Sequence, residues 1–244
     1  MPPTDASTDT DAGTDTDASA DTDAGTAGED TVDLRLPDEL VALFSVDEPT
    51  ETTDGDLLDS VAGWGPATTP VGTFQLVPVR IGRDLTLISR WMNDPAVAAF
   101  WELSGPETVT AGHLRAQLEG DGRSVPCLGV LDATPMSYFE LYRADLDPLA
   151  RHYPARPHDT GVHLLIGSVA DRGRGVGTAL LRAVADLVLD HRPRCTRVIA
   201  EPDLRNTPSV SAFLSAGFRF SAEVDLPEKR AALMVRDRVL RHLL

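Results

Sequence analysis

The fold is decided by the stretch GVHLLIGSVADRGRGVGTALLRAVADLVLD, residues 161–190. An apolar, strand-like run leads into a loop of glycine and arginine, which leads directly into an amphipathic helix. Glycines let successive backbone N–H groups at a helix N-terminus approach an anion, and Arg172 and Arg174 add positive charge for a phosphate group. The stretch therefore predicts a strand, a phosphate-binding loop over residues 171–177 and a helix over 176–190.

The glycine spacing separates this loop from two other phosphate-binding loops. A dinucleotide-binding loop needs Gly-x-Gly-x-x-Gly after the first strand of a domain, with an acidic residue about 20 positions on. Here Gly173, Gly175 and Gly177 are spaced Gly-x-Gly-x-Gly in the middle of the chain, and no Gly-Lys-Ser/Thr sequence is present. Dinucleotide and P-loop nucleotide binding are therefore disfavoured, and a plain glycine-rich turn remains the alternative.

The elements on both sides of the loop predict one mixed α/β domain. Alternating apolar residues indicate strands, and an apolar period of 3.6 residues indicates helices. Because three short helices follow the first strand and two strands end the chain, the order differs from that of a doubly wound sheet. The predicted strands cover 72–80, 125–132, 136–144, 161–168, 195–202, 218–224 and 230–237, and the predicted helices cover 83–93, 95–101, 108–118, 176–190 and 207–216.

The acidic residues are concentrated near the N-terminus. The formal net charge of the 244 residues is -16, but residues 1–59 hold 18 of the 38 acidic residues and one of the 22 basic residues. Because their composition offers almost nothing to bury, we predict a disordered acidic segment over 1–60, with a short apolar docking stretch within 32–48. A folded domain is predicted over 61–244. Residues 49–70 are rich in Asp, Thr, Gly and Pro and predict a loop, so regular structure is expected from about Gly72.

Composition also bears on location and partners. The acidic balance argues against a nucleic-acid partner. No apolar run reaches the roughly 18 residues that span a membrane, and no signal peptide is recognisable, so we expect no membrane partner and a cytoplasmic location. Cys127 and Cys195 lie in apolar contexts that predict buried thiols, and no ligand spacing predicts a metal site. The oligomeric state is not indicated.

Two motifs resemble those of the GNAT N-acyltransferases. Arg172-x-x-Gly175-x-Gly177 matches the family's [QR]xxGx[GA] signature for the pyrophosphate of acyl-CoA. The segment EPDLRNTPSVSAFLSAGFRF, residues 201–220, resembles the second signature, with Asn206 at a helix start and glycine after the helix end. The two motifs occur in the family's order and at its separation. The resemblance implies the GNAT acyl-CoA N-acyltransferase fold.

A narrower resemblance is to the N6-hydroxylysine acyltransferases of hydroxamate siderophore biosynthesis, of the aerobactin and mycobactin type. It is carried by the segments WMNDPAVAAFWE (91–102), YFELYRADLD (138–147), DTGVHLLIGSVADRGRGVGTALL (159–181) and AEPDLRNTPSV (200–210). It covers about residues 72–238. It implies direct transfer of an acyl group from acyl-CoA to a hydroxylamine nitrogen, without a covalent enzyme intermediate.

The resemblance implies an acyl-CoA site along the strand, the loop and the two helices that follow. Acetyl-CoA is the expected donor, succinyl-CoA is the alternative, and no metal cofactor is expected. The residues expected to contact acyl-CoA are Leu164, Leu165, Ile166, Arg172, Gly173, Arg174, Gly175, Val176, Gly177, Thr178, Asn206 and Ser209.

The resemblance places the catalytic groups in the strand before the loop and after the next strand. A backbone N–H of Leu164 or Leu165 is expected to stabilise the oxyanion. His163 is expected to act as a general base, because a neutral imidazole near pH 7 suits that role, and Asp203 is expected to orient His163 or bind the acceptor. The alternatives are a core histidine and a helix-capping aspartate. Phe213 stands where the family has a tyrosine that protonates the leaving thiolate, so that role is in doubt.

Residues expected to bind the acceptor lie in the matching segments. Tyr138, Glu140 and Tyr142 alternate to one face of a strand, where Glu140 is expected to hold the α-amine of an amino acid. The full expected set is Trp91, Asn93, Trp101, Tyr138, Glu140 and Tyr142. A half-solvated strand face and core tryptophans are the alternatives.

Three functions are compatible with these features. The first is acyl transfer to the N6-hydroxy nitrogen of hydroxylysine or of a hydroxylated diamine, with a siderophore synthetase as a partner. The second is a GNAT acetyltransferase acting on an ordinary amine of a protein N-terminus, a polyamine or an aminoglycoside. The third is a non-catalytic acyl-CoA-binding module.

Overall fold

A computed structural model describes Leu58 and residues 60–242 of the chain. The predicted acidic segment and its docking stretch within 32–48 lie outside the described residues. The described part forms one mixed sheet of eight strands with five α-helices. The prediction of a mixed α/β domain is therefore confirmed.

The strands follow one another across the sheet almost in chain order. The sheet order is β1-β2-β3-β4-β5-β6-β8-β7, and all neighbouring strands are antiparallel except β5 and β6. The strands are β1 (Ala67–Thr69), β2 (Gly72–Pro78), β3 (Ser124–Leu131), β4 (Thr134–Arg143), β5 (Thr160–Ile166), β6 (Arg197–Ala200), β7 (Arg219–Asp225) and β8 (Arg230–Asp237). The helices are α1 (Ile81–Met92), α2 (Pro95–Trp101), α3 (Glu107–Leu118), α4 (Val176–His191) and α5 (Thr207–Ser215).

Apolar residues on the two faces of the sheet build two separate cores. Phe139 and Leu141 of β4 belong to the core that includes the apolar face of α4, whereas Tyr138 belongs to the core that includes α1 and α3. This division follows from the alternation of side chains along a strand. The helices of both faces are thereby anchored to β4 and β5, the strands that carry most of the predicted site.

The parallel strands β5 and β6 separate soon after they meet. They pair only at Thr160 with Val198 and at Gly161 with Ile199, whereas β4 pairs with β5 from Thr160 to Ile166. Beyond Gly161, the edge of β5 that faces β6 therefore has no neighbouring strand. An unpaired strand edge offers backbone donors and acceptors to a ligand.

Residues 60–71 hold more regular structure than the sequence predicts. The loop predicted over residues 49–70 contains β1, which pairs with β2, and Leu58, Val61 and Trp64 are buried in the core beside α4. The Trp64 ring stacks on His191 of α4 with ring centroids 5.4 Å apart. Three apolar side chains, each three residues after the last, suffice to anchor a segment whose composition otherwise resembles a loop. The packed domain therefore extends at least to Leu58.

Other local predictions are confirmed. Cys127 and Cys195 are buried free thiols. Gly217 has φ 90° directly after the C-cap of α5, as a C-terminal glycine requires. The strand predicted over 195–202 is shorter than expected, so Glu201 and Asp203 follow its end. In the described part of the chain, no helix combines the length and apolar character that a membrane span requires.

Candidate active site

The glycine loop leaves the N-terminus of α4 open to a ligand. Gly173 and Gly175 have φ 70° and 79°, in the left-handed region that favours glycine, and a Cβ at either position would meet nothing within 4 Å. Gly175 is the N-cap of α4 and provides no side chain to cap the first N–H groups. The 16-residue helix α4 thus presents backbone donors and the positive end of its dipole to open space, as an anion site requires.

Arg172 braces this loop instead of extending toward a ligand. Its guanidinium donates to the carbonyl oxygens of Ile166 and Gly167, at 3.0 Å each, and to Asp94 Oδ1 at 2.9 Å. Asp94 is also the N-cap of α2, so Arg172 fastens the end of β5 to the start of that helix. The guanidinium of Arg172 is thus engaged within the protein, and its contact with a phosphate stays a prediction. Arg174 is exposed and is the arginine available for that purpose.

A cavity of about 660 Å³, here called the loop cavity, extends from the glycine loop between α2, β5 and α5. Ser211 and the apolar side chains of α2 also line it. Val176, by contrast, packs against the core. Ten of the twelve residues expected at acyl-CoA line this cavity, and the exceptions are Arg174 and Val176: the ten are Leu164, Leu165, Ile166, Arg172, Gly173, Gly175, Gly177, Thr178, Asn206 and Ser209.

The free edge of β5 directs the backbone of Leu164 toward the gap. Gly167 donates its N–H to Met136 of β4, and the carbonyl of Ile166 points the other way, where it accepts from Arg172. Because backbone groups alternate in direction along a strand, the N–H groups of Leu164 and Ile166 face the gap and that of Leu165 faces β4. Of the two N–H groups that the sequence analysis names as possible oxyanion donors, only that of Leu164 faces the gap.

A second cavity of about 570 Å³, here called the histidine cavity, contains His163. Phe100, Trp101, Leu164 and Asn206 line both cavities, so the two share a wall at Leu164. The outward backbone N–H of Leu164 therefore lies at the boundary between the two cavities.

His163 lies between two buried carboxylates. Its Nδ1 is 3.0 Å from Glu140 Oε2, across the β4–β5 pair, and its Nε2 forms a short hydrogen bond with Glu201 Oε1. Tyr142 donates to the other oxygen of Glu201 at 2.6 Å. A Cβ on Gly161 would overlap the Tyr142 ring, so glycine is needed where that ring crosses β5. Both ring nitrogens of His163 are consequently engaged by carboxylates.

The carboxylates set the charge of His163. Burial alone would lower the pKa of His163, but the charges and hydrogen bonds of Glu201 and Glu140 outweigh it and raise the pKa to about 10. Burial would likewise raise the pKa of Glu140, but the hydrogen bonds from His113 and His163 lower it below its usual value. The raised pKa favours the imidazolium form of His163 near pH 7 over the neutral imidazole that the sequence analysis expects.

Glu140 is held by four donors. Its Oε1 lies 2.5 Å from His113 Nε2, 2.8 Å from Gln117 Nε2 and 2.9 Å from the hydroxyl of Tyr138, and its Oε2 takes His163. The carboxylate is 7% exposed. With three donors on Oε1 and one on Oε2, Glu140 holds His163 in place, and its contact with the α-amine of an acceptor stays a prediction.

Sequence comparisons show which protein family the chain belongs to. Residues 80–226 match the family model described as the acetyltransferase (GNAT) domain. The chain belongs to the GNAT acetyltransferase family. The lysine N-acyltransferase MbtK of Mycolicibacterium paratuberculosis is 39% identical over 164 residues, which are 67% of this chain and 73% of that protein. The N(6)-hydroxylysine O-acetyltransferase of Escherichia coli is 37% identical over 155 residues, 64% of this chain and 49% of that protein.

A solved structure extends the comparison to the fold. The GNAT domain superposes on the structure of an uncharacterized protein from Bacillus halodurans with a TM-score of 0.69 and 30% identity, covering 73% of this chain and 92% of that chain. The predicted GNAT fold and the predicted resemblance to hydroxylysine acyltransferases are thus confirmed.

Glu201, not Asp203, is the acidic partner of His163 in this GNAT site. Asp203 lines the histidine cavity but accepts from Arg205, through its backbone N–H at 2.7 Å and its guanidinium at 2.6 Å. Because the two acids are two residues apart just after β6, the sequence pattern alone could not separate them. In the described part of the chain Asp203 bonds to Arg205 and not to His163, so its role in orienting His163 or binding the acceptor stays a prediction.

The tryptophans and the asparagine predicted to bind the acceptor differ in whether they line the two cavities. Trp101 lines both cavities and makes edge-on contacts with His163 and Tyr138, at centroid distances of 5.9 and 5.6 Å. Trp91 is buried beneath Gly167, where an added Cβ would overlap its ring. Asn93 closes the turn to Gly105, accepting from its N–H at 2.9 Å. Neither Trp91 nor Asn93 lines the loop cavity or the histidine cavity, and their contact with the acceptor stays a prediction.

Several site residues were missed by the sequence reasoning. His113 and Gln117 lie one turn apart on α3 and meet Glu140 from the opposite face of the site. Their spacing of four residues within a predicted helix was the one local signal for them. Lys229, in the turn between β7 and β8, lines the histidine cavity and offered no local signal. Tertiary contacts brought these residues to the site.

The raised pKa of His163 makes the stability of the GNAT domain depend on pH. A group whose pKa is higher in the folded state contributes fully below its unfolded pKa and loses that contribution as pH rises through its folded pKa. We expect the difference in unfolding free energy between wild type and His163→Gln to be largest below pH 6.5 and to shrink toward pH 10. Urea unfolding at a series of pH values measures it. The exposed His152→Gln should show no such trend, and a pH-independent difference for His163→Gln would contradict the assignment.

Proposed function

We propose that this protein transfers an acyl group from acyl-CoA directly to the hydroxylamine nitrogen of N6-hydroxylysine or of a hydroxylated diamine. The observation that carries the proposal is the position of Leu164, whose N–H faces the point where the loop cavity adjoins the histidine cavity. A thioester in the first cavity and an acceptor in the second would meet there. The names of the similar proteins, which include lysine and N(6)-hydroxylysine, support this acceptor class.

The proposed reaction needs an oxyanion site. With the pyrophosphate on the N-terminus of α4, the thioester carbonyl accepts a hydrogen bond from Leu164 N–H. The acceptor nitrogen attacks the carbonyl carbon, a C–N bond forms, and the oxyanion is held by the same donor. Collapse of the tetrahedral adduct breaks the C–S bond and releases the CoA thiolate.

The attacking nitrogen must also lose its proton. Because His163 already carries its proton, the carboxylate of Glu201 is the acceptor that we propose. Glu201 accepts from His163 and Tyr142 and so has fewer donors than Glu140. Its lowered pKa makes it a weak base, but the nitrogen becomes strongly acidic once it has attacked the carbonyl, so a weak base suffices.

The charge of the histidine cavity favours a hydroxylamine over an ordinary amine. Five carboxylates line this cavity: Glu102, Glu140, Glu201, Asp203 and Glu228. An alkylamine placed among carboxylates is stabilised as its ammonium ion, which has no lone pair for attack. The oxygen next to a hydroxylamine nitrogen lowers its basicity, so that nitrogen stays unprotonated near neutral pH in the same surroundings.

The leaving thiolate receives no proton from the position where many GNAT enzymes have a tyrosine. Phe213 lines the histidine cavity there and packs edge-on against Phe218, with ring centroids 5.0 Å apart. We propose that the thiolate departs as the anion, since thiols ionise close to neutral pH and the thiolate is a fair leaving group. Ser209 and Ser211 of the loop cavity offer hydroxyls beside it.

The remaining parts of the proposal concern the context of the reaction. Acetyl-CoA is the proposed donor, with succinyl-CoA second, and the reaction would take place in the cytoplasm, where acyl-CoA is made. A siderophore synthetase is the proposed consumer of the product. We also propose that residues 1–60 form an acidic segment and that residues 61–244 form the catalytic domain.

Release of free CoA tests the proposed function. Acetyl-CoA and succinyl-CoA are each offered with N6-hydroxylysine, N-hydroxycadaverine, lysine and spermidine, and the thiol is followed by absorbance. We expect turnover with the hydroxylamines and little with the parent amines. Turnover with lysine or spermidine alone would overturn the proposal in favour of an ordinary amine acetyltransferase.

A further inference from the structure

The histidine cavity contains one cation that the proposed reaction does not use. Lys229, in the turn between β7 and β8, is the only lysine of the 244-residue chain. Its side chain is 27% exposed, and its Nζ lies 3.6 Å from Glu201 Oε1. In the described part of the chain, this long ion pair is the one polar contact of the ammonium group. Most of its hydrogen-bonding capacity therefore remains available.

Lys229 stands out against an acidic wall. Two exposed carboxylates at the same cavity, Glu102 and Glu228, carry the opposite charge. A wall with one flexible cation among carboxylates complements a zwitterion, whose carboxylate and ammonium groups need partners of both signs. A diamine carries only positive charge and would meet an unfavourable charge at Lys229.

The location of Lys229 also suits the far end of an amino acid acceptor. Leu164 lines both cavities, whereas Lys229 lines the histidine cavity alone. With its nitrogen at Leu164, such an acceptor extends into the histidine cavity, where the ammonium group of Lys229 lies beside the His163–Glu201 pair.

We propose that Lys229 binds the α-carboxylate of the acceptor and makes this enzyme selective for a hydroxylated amino acid over the corresponding decarboxylated diamine. The inference rests on the proposed function and narrows its acceptor class. A lysine suits this task because its ammonium group is a compact charge on a flexible stem that can follow a carboxylate.

Paired acceptors test the proposal, since N6-hydroxylysine and N-hydroxycadaverine differ only in the α-carboxylate. Dissociation constants for both are measured by calorimetry in the presence of CoA, so no turnover is required. We expect wild type to prefer N6-hydroxylysine, and Lys229→Gln to reduce this preference by about 10- to 100-fold, the usual effect of losing one charge-assisted hydrogen bond. Lys229→Arg should retain most of the preference.

A matched control separates this role from a general effect of charge. Arg230→Gln removes the same charge one residue along, where the side chain pairs with Glu223 and lines neither cavity. It should leave the preference unchanged. If Lys229→Gln weakens the binding of both acceptors equally, Lys229 acts only through Glu201 and the inference is overturned. Unchanged dissociation constants for both acceptors would overturn it as well. If wild type acylates neither hydroxylamine, the proposed function fails instead, whatever the binding constants are.

Discussion

Replacing His163 with glutamine should lower kcat by about 10²- to 10⁴-fold, the range that general acid–base catalysis commonly contributes, because Glu201 loses the cation that keeps it available as the base. The imidazolium separates Glu140 from Glu201, with a hydrogen bond to each. Without that cation, the two buried carboxylates repel each other and one takes up a proton. Glu201 then loses both its orientation and its ability to accept a proton. Steady-state CoA release with N6-hydroxylysine measures the effect.

Binding of acyl-CoA provides the control for this variant. Because the glycine loop and α4 are separate from the His163 cluster, the dissociation constant of acyl-CoA for His163→Gln should remain within a few-fold of wild type. A kcat close to that of wild type would contradict a catalytic role for the cluster. Loss of acyl-CoA binding would show that His163 supports the fold instead.

A related pair of variants separates the two acids that follow β6. Glu201→Gln should reduce kcat about as much as His163→Gln, because Glu201 holds the imidazolium and accepts the proton. Asp203→Asn should have a smaller effect, since Asp203 is bonded to Arg205. The reverse order would restore the assignment that the sequence alone favoured.

Replacing Asp159 with alanine should lower the free energy of unfolding by about 3–5 kcal/mol, the usual cost of removing one partner from a buried ion pair. Asp159 is fully buried, where it accepts from the guanidinium of Arg197, the hydroxyl of Tyr153 and the backbone N–H of Arg156. Arg197 is only 6% exposed, so the change leaves its charge buried without a counterion. Domains are stabilised by about 5–15 kcal/mol in total, so a large part of the stability would be lost.

Urea unfolding of Asp159→Ala measures this effect, and an exposed pair supplies the control. Asp121 pairs with Arg123 at 2.7 Å, with both side chains more than half exposed, so Asp121→Ala should change stability little. Asp159 directly precedes Thr160, where β5 meets β6, so the variant should also weaken the junction from which the two strands diverge. Equal effects of the two variants would contradict this account of the buried pair.

The parts of the site that could be predicted from sequence are those formed by neighbouring residues. The glycine loop and α4 are continuous in the chain, so spacing and apolar period define them. The shared face of Tyr138, Glu140 and Tyr142 follows from the alternation of a strand. These local rules also explain why Leu164 and Leu165 were both candidates, since only the pairing with β4 decides which N–H faces the gap.

The parts that could not be predicted depend on contacts between distant residues. Glu201 and Asp203 have the same local pattern, and only the direction of the chain after β6 brings Glu201 to His163. His113 reaches Glu140 because α3 packs over the sheet. The guanidinium of Arg172 bonds to carbonyl oxygens and to Asp94, which lies 78 residues away in the chain. A charge in a sequence motif therefore identifies a location, but its partner depends on the fold.

The central claim is that the acyl group is transferred to the hydroxylamine nitrogen, and analysis of the product tests it most directly. N6-hydroxylysine and acetyl-CoA are incubated with the full chain, and the product is assayed with iron(III) and by mass spectrometry. N-acylation yields a hydroxamate, so we predict a coloured iron complex that forms in a one-to-one ratio with the CoA released. CoA release with an O-acyl ester as product, or acylation of lysine with no reaction of N6-hydroxylysine, would contradict the account.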